Sequence, residues 1–348
     1  MTSLSGTQMA ILEFIRDNPG QSSLYIHEGI SGNKAYATTK RAISQLIAQN
    51  WVIAKGQGKS TRYYIGSSFM LLSPVDIEKY FLKEIDERTI KSDFNLELIG
   101  QQLPSARVFT DDESKHLDSL QEQFKRNISK LTPTEYNKEF ERLAIDLSWK
   151  SSQIEGNTYS LLETERLLKD KEVAIGKPKE DATMLLNHKD AISFIIDHPD
   201  YVVPLTISRI EDIHSILLKD LGVDRNIRQG RVGISGTNYR PLDNEYQIRE
   251  AVRDMCELIN SRASVFEKSL LSLVLLSYIQ PFVDGNKRTA RIVSNAILIA
   301  NNYCPISFRT VDSVEYKKAM LIFYEQNNIS AFKKIFIGQF EFAVKTYF

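Results

Sequence analysis

The sequence predicts a mainly α-helical protein: a helical core carrying one β-hairpin, preceded by a small helical domain with a hairpin of its own. Three observations predict it. Apolar residues recur at three- and four-residue spacing in segment after segment of the 348-residue chain, as amphipathic helices require. Alternating stretches occur at residues 51–65 and 231–241, each folded about glycines, as hairpins require. Charge divides along the chain as well. Residues 1–66 hold seven Lys/Arg against three acids, a net of +4, whereas the whole chain balances 44 Lys+Arg with 44 Asp+Glu. The remaining residues therefore sum to −4, and neutrality argues only against a uniformly basic surface.

Composition excludes several classes. Apolar residues make up 42% and charged residues 25%, the balance of a globular chain rather than a disordered one. The longest apolar run, residues 270–279, falls short of the roughly 20 residues that span a bilayer and is interrupted by serines. The first ten residues lack the basic and apolar regions of a signal peptide. Cys256 and Cys304 are too few and too distant for a disulfide framework or a CxxC metal site. The expectation is a cytoplasmic protein without a membrane partner.

Residues 1–67 read as one unit. Met9, Leu12, Phe14 and Ile15 mark a first helix, which Asn18-Pro19-Gly20 ends. Ser22 or Ser23 caps a short second helix through His27. After Ser31-Gly32-Asn33, a third helix carries Ala42, Ile43, Leu46 and Ile47 on its buried stripe. Trp51-Val52-Ile53, a Gly56-Gln57-Gly58 turn and Arg62-Tyr63-Tyr64-Ile65 complete a hairpin. This order resembles a winged helix-turn-helix domain, in which the third helix enters the major groove and the wing touches phosphates. The resemblance implies duplex DNA as a partner, met by Lys34, Thr38, Thr39, Lys40 and Arg41 on the helix and by Lys59 and Arg62 on the wing. A protein-docking module is the alternative. Gly58-Lys59-Ser60 is not a P-loop, because position 53 is Ile where that motif has its first glycine.

Residues 68–130 read as a helical connector without a chemical motif. Ile77, Tyr80, Phe81 and Ile85 suggest one amphipathic helix, and Asp111-Asp112-Glu113 precedes a second at residues 114–128. Leu131-Thr132-Pro133-Thr134-Glu135 opens a third, with proline in its first turn. Residues 131–348 form the main domain.

The most informative stretch is residues 280–291, Gln-Pro-Phe-Val-Asp-Gly-Asn-Lys-Arg-Thr-Ala-Arg, between an apolar helix and a new one. Pro281 stops the first helix, and Asp284-Gly285-Asn286 permits a turn with φ > 0. Backbone N–H groups at the following N-terminus then form an anion seat. Lys287, Arg288 and Arg291 add positive charge, and Asp284 is placed to hold a divalent metal bridging two phosphates. The stretch reads as a polyphosphate cradle.

It resembles the signature of the Fic (Fic/Doc) family, His-x-Phe-x-(Asp/Glu)-Gly-Asn-Gly-Arg-x-x-Arg, through Phe282, Asp284, Gly285, Asn286, Arg288 and Arg291. Gln280 stands at the histidine, and Lys287 at a position where many members have glycine. The resemblance implies transfer of AMP from ATP, with Mg2+, to a Ser, Thr or Tyr hydroxyl of a protein target. Nucleotide contacts fall on Asp284, Gly285, Asn286, Lys287, Arg288 and Arg291, with Asp284 as the metal ligand. Ser151, Glu155 and Gly156 match the family's inhibitory pattern, which implies an inhibitory helix near residues 140–156 and a pairing of Glu155 with Arg291. The hairpin at 231–241 is similar to the family's flap, so that Val232, Gly233, Ile234, Ser235, Gly236 and Thr237 would align a target segment by strand addition.

Gln280 cannot do the histidine's work. An attacking hydroxyl needs its proton accepted by a group of near-neutral pKa, and an amide has none. Losing a general base removes about 10²–10⁴-fold in rate. His27, His116, His188 and His198 lie far from the motif in sequence, and His214 lies on an apolar helical stretch that suggests packing. Two readings stand: an adenylyltransferase inhibited by Glu155 and slowed at Gln280, or a catalytically silent nucleotide-binding protein acting as a DNA-binding regulator. Lys287 adds a third, because some family toxins with lysine there transfer phosphate instead. A homo-oligomer is compatible with either fold.

Overall fold

The computed structural model describes residues 4–30 and 35–348. At the N-terminus α1 (Gly6–Asp17), α2 (Ser23–Gly29) and α3 (Tyr36–Ala48) precede β1 (Val52–Lys55) and β2 (Arg62–Ile65), paired antiparallel with Val52 opposite Ile65 and Lys55 opposite Arg62. Ser5 caps α1 with a reciprocal bond to Gln8, and Ser22 caps α2, each satisfying an orphan N–H of a first turn. Ile11, Leu12, Ile15, Ile26, Ile43, Leu46, Trp51 and Val52 gather into a core of their own.

The connector is less regular than its apolar spacing predicts. After α4 (Ser67–Leu72), helix α5 (Ile77–Phe81) is a single turn with no buried residue, and Ile85 lies in a separate 3-10 turn. The periodic residues serve a strap across the main domain rather than one helix. Arg88 and Glu325, with side chains 5% and 0% exposed, pair at 3.0 Å, and Tyr80 donates to the same carboxylate at 2.5 Å. Arg88 also donates to the Gly236 carbonyl, Asp86 accepts from Asn238, and Ser92 accepts from the Arg240 amide. A wider π-type turn at residues 98–102 runs into α6 (Leu103–Ser105).

The main domain is built from α7 (Asp111–Ile128), α8 (Pro133–Ile154), α9 (Leu161–Asp170), α10 (Lys179–Asp197), α11 (Ile207–Leu217), α12 (Glu245–Ser261), α13 (Val265–Ile279), α14 (Asn286–Ala300), α15 (Ser313–Gln326) and α16 (Ser330–Thr346). The acids expected ahead of α7 lie inside its first turn, where they favour the positive helix end. Thr132 caps α8 with Pro133 at its first position, as the sequence predicts. Helix α13 is buried on every side, the mark of a central helix. It packs along α14, where the Ser269 and Ser294 hydroxyls bond at 2.8 Å. No described helix is long and apolar enough to cross a membrane.

The expected flap hairpin is only partly realised. Residues 231–241 turn at Ser235-Gly236, but their arms carry no strand pairing among the described residues. Their bridge is a parallel one between Arg240 and Asp93 of the strap. Contacts with the strap thus replace pairing between the arms.

Glu325→Ala would leave the Arg88 guanidinium buried without its counter-charge, at a cost of about 3–5 kcal/mol. Urea denaturation of the full chain should show that loss, with part of it recovered in the Arg88→Ala/Glu325→Ala double variant.

Candidate nucleotide site

The loop at 280–285 is shaped by two left-handed residues. Gln280, the C-cap of α13, has φ 52°, and Gly285, the N-cap of α14, has φ 77°. A Cβ at Gly285 would lie 2.5 Å from the Leu218 side chain, so both backbone sign and space require glycine. The Asn286 side chain clamps the loop. It accepts from the Phe282 amide at 2.8 Å and donates to the Phe282 carbonyl at 2.8 Å and to the Gln280 Oε1 at 3.0 Å. The side chain thus braces the loop, while the residue still lines the cavity described below.

Gln280 is equally committed. Its Nε2 donates to the Ser277 carbonyl at 2.6 Å while its Oε1 accepts from Asn286, and the residue is only 8% exposed. Arg228, which sequence reasoning missed, holds the same corner. Its Nε donates to the Gln280 carbonyl at 2.6 Å, and its amide donates to the Pro281 carbonyl at 3.0 Å. Fifty-two residues separate it from Gln280, so no local spacing could reveal the contact.

His214 supports the loop from behind. Its ring stacks on Phe282 at 3.6 Å, and its Nδ1 lies 3.1 Å from the Thr289 hydroxyl. That hydroxyl donates its one proton to the Gly285 carbonyl, which assigns the proton of the His214 contact to Nδ1. Burial, then Arg288 and Arg225, push the His214 pKa down to about 3. Burial, then Arg291 and Arg288, also lower that of His188. Both rings are neutral at physiological pH, and His214 is a packed residue as expected.

A cavity of about 550 Å³ opens above this loop. Gln280, Asp284, Gly285, Asn286 and Lys287 form its floor, Glu155 and Gly233 to Gly236 flank it, and Tyr316 and Tyr324 of α15 contribute a wall. Val232 and Thr237 of the expected flap surface do not line it. Arg288 and Arg291 do not line it either; they are 2% and 0% exposed, set one layer deeper.

The two arginines divide their contacts. Arg288 donates to Asp284 at 2.9 Å, while its Nε and Nη1 find no partner. Arg291 donates to the Ser151 Oγ at 2.7 Å and carbonyl at 2.9 Å, and to Glu155 Oε1 at 2.9 Å, leaving Nη1 unpartnered. Lys287 Nζ lies 3.8 Å from Glu155 Oε2. Buried donors left without acceptors fit an anion. Burial would raise the Glu155 pKa, but Arg291 and then Lys287 outweigh it and hold the carboxyl below its ordinary value. Gly156, with φ 103°, turns the chain away just after Glu155.

Asp284 is 60% exposed on its side chain, with one oxygen bonded to Arg288. The described residues hold no cluster of three or more His, Cys, Asp or Glu suited to a metal. A single carboxylate fits Mg2+ that shares its coordination with substrate phosphates.

The expected DNA contacts are dispersed over one unit. Thr38, Lys40, Arg41, Lys59 and Arg62 are exposed, with Lys40 over the Tyr36 ring. Thr39 is buried, bonded to His27 at 2.9 Å, and so is removed from the contact surface. Lys34 lies outside the described residues.

Comparison with known proteins agrees with this architecture. Residues 204–298 match the model of the Fic/DOC family, so the chain contains a Fic/DOC domain. The protein adenylyltransferase fic-1 of Caenorhabditis elegans is 25% identical over 176 residues, covering 47% of this chain and 33% of that protein. The protein adenylyltransferase Fic of Nematostella vectensis is 30% identical over 177 residues, covering 48% and 40%. The chain thus spans between a third and two fifths of the length of these relatives. Among solved structures, Fic-1 (aa134 - 508) from C. elegans superimposes with a TM-score of 0.58 at 21% identity, covering 68% of this chain and 71% of that one. A Fic domain containing signaling protein from Bacteroides thetaiotaomicron gives 0.58 at 19%, covering 67% and 95%. At these identities the structures show a shared fold.

Because the folded Glu155 pKa is depressed, its stabilisation is present above about 4.5 and is lost as pH falls through the lower folded value. Glu155→Gln should cost about 1–3 kcal/mol at pH 7, with the deficit shrinking in acid. Denaturation at pH 7 and pH 3 measures this.

Proposed function

We propose that the chain is a Fic-type protein adenylyltransferase held inhibited by Glu155 and slowed by glutamine at position 280. The observation that carries this reading is the set of unpartnered, buried guanidinium N–H groups on Arg288 and Arg291, set behind the Gly285-capped start of α14. Such donors favour a polyphosphate, and adenylyltransferase relatives support ATP as its source. In AMP transfer a protein hydroxyl attacks the α-phosphorus, the bond to the β-phosphate oxygen breaks, and pyrophosphate departs. The hydroxyl proton must go to an acceptor. Asp284 would hold Mg2+, which neutralises phosphate charge when bound. Lys287 and the N-terminus of α14 orient the phosphates, and residues 233–236 align the target segment. The Glu155 carboxylate occupies Arg291 and competes with the nucleotide for it.

One observation favours the silent alternative. Both ends of the Gln280 amide carry a hydrogen bond, to Ser277 and Asn286, and an amide is not a base, so position 280 offers the reaction no proton acceptor. In that reading nucleotide binding itself is the output. The N-terminal unit supplies its destination: exposed Lys40, Arg41, Lys59 and Arg62 suit duplex DNA in a winged-helix arrangement.

Glu155→Gly should tighten binding of ATP measured by calorimetry, and unchanged affinity rejects the inhibitory role. Adding Gln280→His in that background should switch on label transfer to protein hydroxyls. Label from α-labelled ATP marks AMP transfer, label from γ-labelled ATP marks phosphorylation, and silence with both supports the nucleotide-binding regulator.

Lys40→Ala/Arg41→Ala should weaken duplex DNA binding and reduce the log–log salt slope by about 2 if each cation meets one phosphate. Electrophoretic shifts across a salt series measure it; an absence of DNA binding by the unaltered chain leaves protein docking as the role of this unit.

A further inference from the structure

Charges in this site stand at the wrong ends of their helices. Glu155 is the C-cap of α8, where the helix dipole repels an anion. Lys287 is the second residue of α14, a helix with no acid in its first turn, where the dipole repels a cation. Neither placement is favourable alone. Each is compensated by the other, across 132 residues of sequence, with Arg291 as the third member.

The two cations grip different oxygens and differ in access. Arg291 Nη2 holds Oε1 at 2.9 Å and has a side chain 0% exposed. Lys287 Nζ faces Oε2 at 3.8 Å with a side chain 25% exposed, and it lines the cavity that Arg291 does not. An anion entering the cavity therefore meets Lys287 before Arg291. We propose that Lys287 is a shared cation that sets the strength of inhibition: it restrains Glu155 in the closed arrangement and passes to a phosphate of an incoming nucleoside triphosphate when Glu155 departs. Lysine suits this double use, because a compact charge on a flexible stem can change partners without the fixed planar geometry of arginine.

This inference rests on the reading of the cavity as a nucleotide site, and a double-mutant cycle separates the two. ATP binding in the presence of Mg2+ is measured by calorimetry for the unaltered chain, Lys287→Ala, Glu155→Gly and the double variant, with Lys287→Gln as a second neutral form that retains most of the stem. With Glu155 present, loss of Lys287 removes both a restraint and a phosphate contact, so the effects oppose. With Glu155 absent only the phosphate contact is lost. Lys287→Ala should therefore weaken binding more in the Glu155→Gly background than in the unaltered chain, by about three- to tenfold, within the coupling range of contacting residues. Equal weakening in both backgrounds overturns the shared role while leaving the nucleotide site intact. Failure of Glu155→Gly to tighten ATP binding overturns the parent inhibitory reading. Should Lys287→Ala unfold, the Lys287→Gln cycle decides by the same criterion.

Discussion

The ion pair between Glu155 and Arg291 fixes the arrangement of this site. Arg291 is fully buried on the first turns of α14, and such a charge is tolerable only when paired and hydrogen-bonded. Its partners, the Ser151 hydroxyl, the Ser151 carbonyl and Glu155, all come from the last turn of α8. The contact therefore docks the end of one helix on the beginning of another. It also fixes the position of Lys287 and the mouth of the cavity. Tyr316 lies against the same guanidinium, 5.4 Å away, so α15 is registered to the pair as well.

Around that pair, the loop is held by side chains already engaged in hydrogen bonds. Asn286 uses its side chain on Phe282 and Gln280, Thr289 uses its hydroxyl on Gly285, and Arg228 uses its guanidinium on the carbonyls at the end of α13. Behind the cavity, N–H groups of Arg288 and Arg291 remain unmatched. Rigidity in the frame and unsatisfied donors in its centre are what an anion site needs: the donors are aimed beforehand, and little reorganisation accompanies binding. The histidines nearby are neutral and the carboxylate stays ionised, so the charge of the pair is insensitive to modest changes of pH.

Local signals made much of this legible in sequence. Gly285 was required by a turn, Thr132-Pro133 by a helix start, and Leu12, Ile15, Ile43 and Leu46 by a shared apolar face. The motif at 280–291 marked the loop between α13 and α14 because its residues are consecutive. Other features were illegible because they join distant segments. Arg228 meets Gln280 only in the fold, and the Asn286 side chain turned inward because the loop's own amide and carbonyl needed partners. The connector misled for a related reason. Ile77, Tyr80, Phe81 and Ile85 have helical spacing, yet polar contacts of the strap with α15 and residues 236–240 outweighed the weak propensity of a short helix.

The position of Glu155 has a consequence in concentration rather than in structure. A carboxylate at the C-cap of a 22-residue helix, already paired with Arg291, would be a competitor that never dilutes away. A tethered group acts at a fixed effective concentration, on the order of millimolar or above for short tethers. A soluble anion must exceed that competition before it holds Arg291, and its apparent affinity falls by the fraction of molecules with the seat vacant. On the proposed inhibitory reading, the chain would therefore behave as a threshold device: the length and stiffness of α8 would decide how much ligand the surroundings must contain before the seat changes hands.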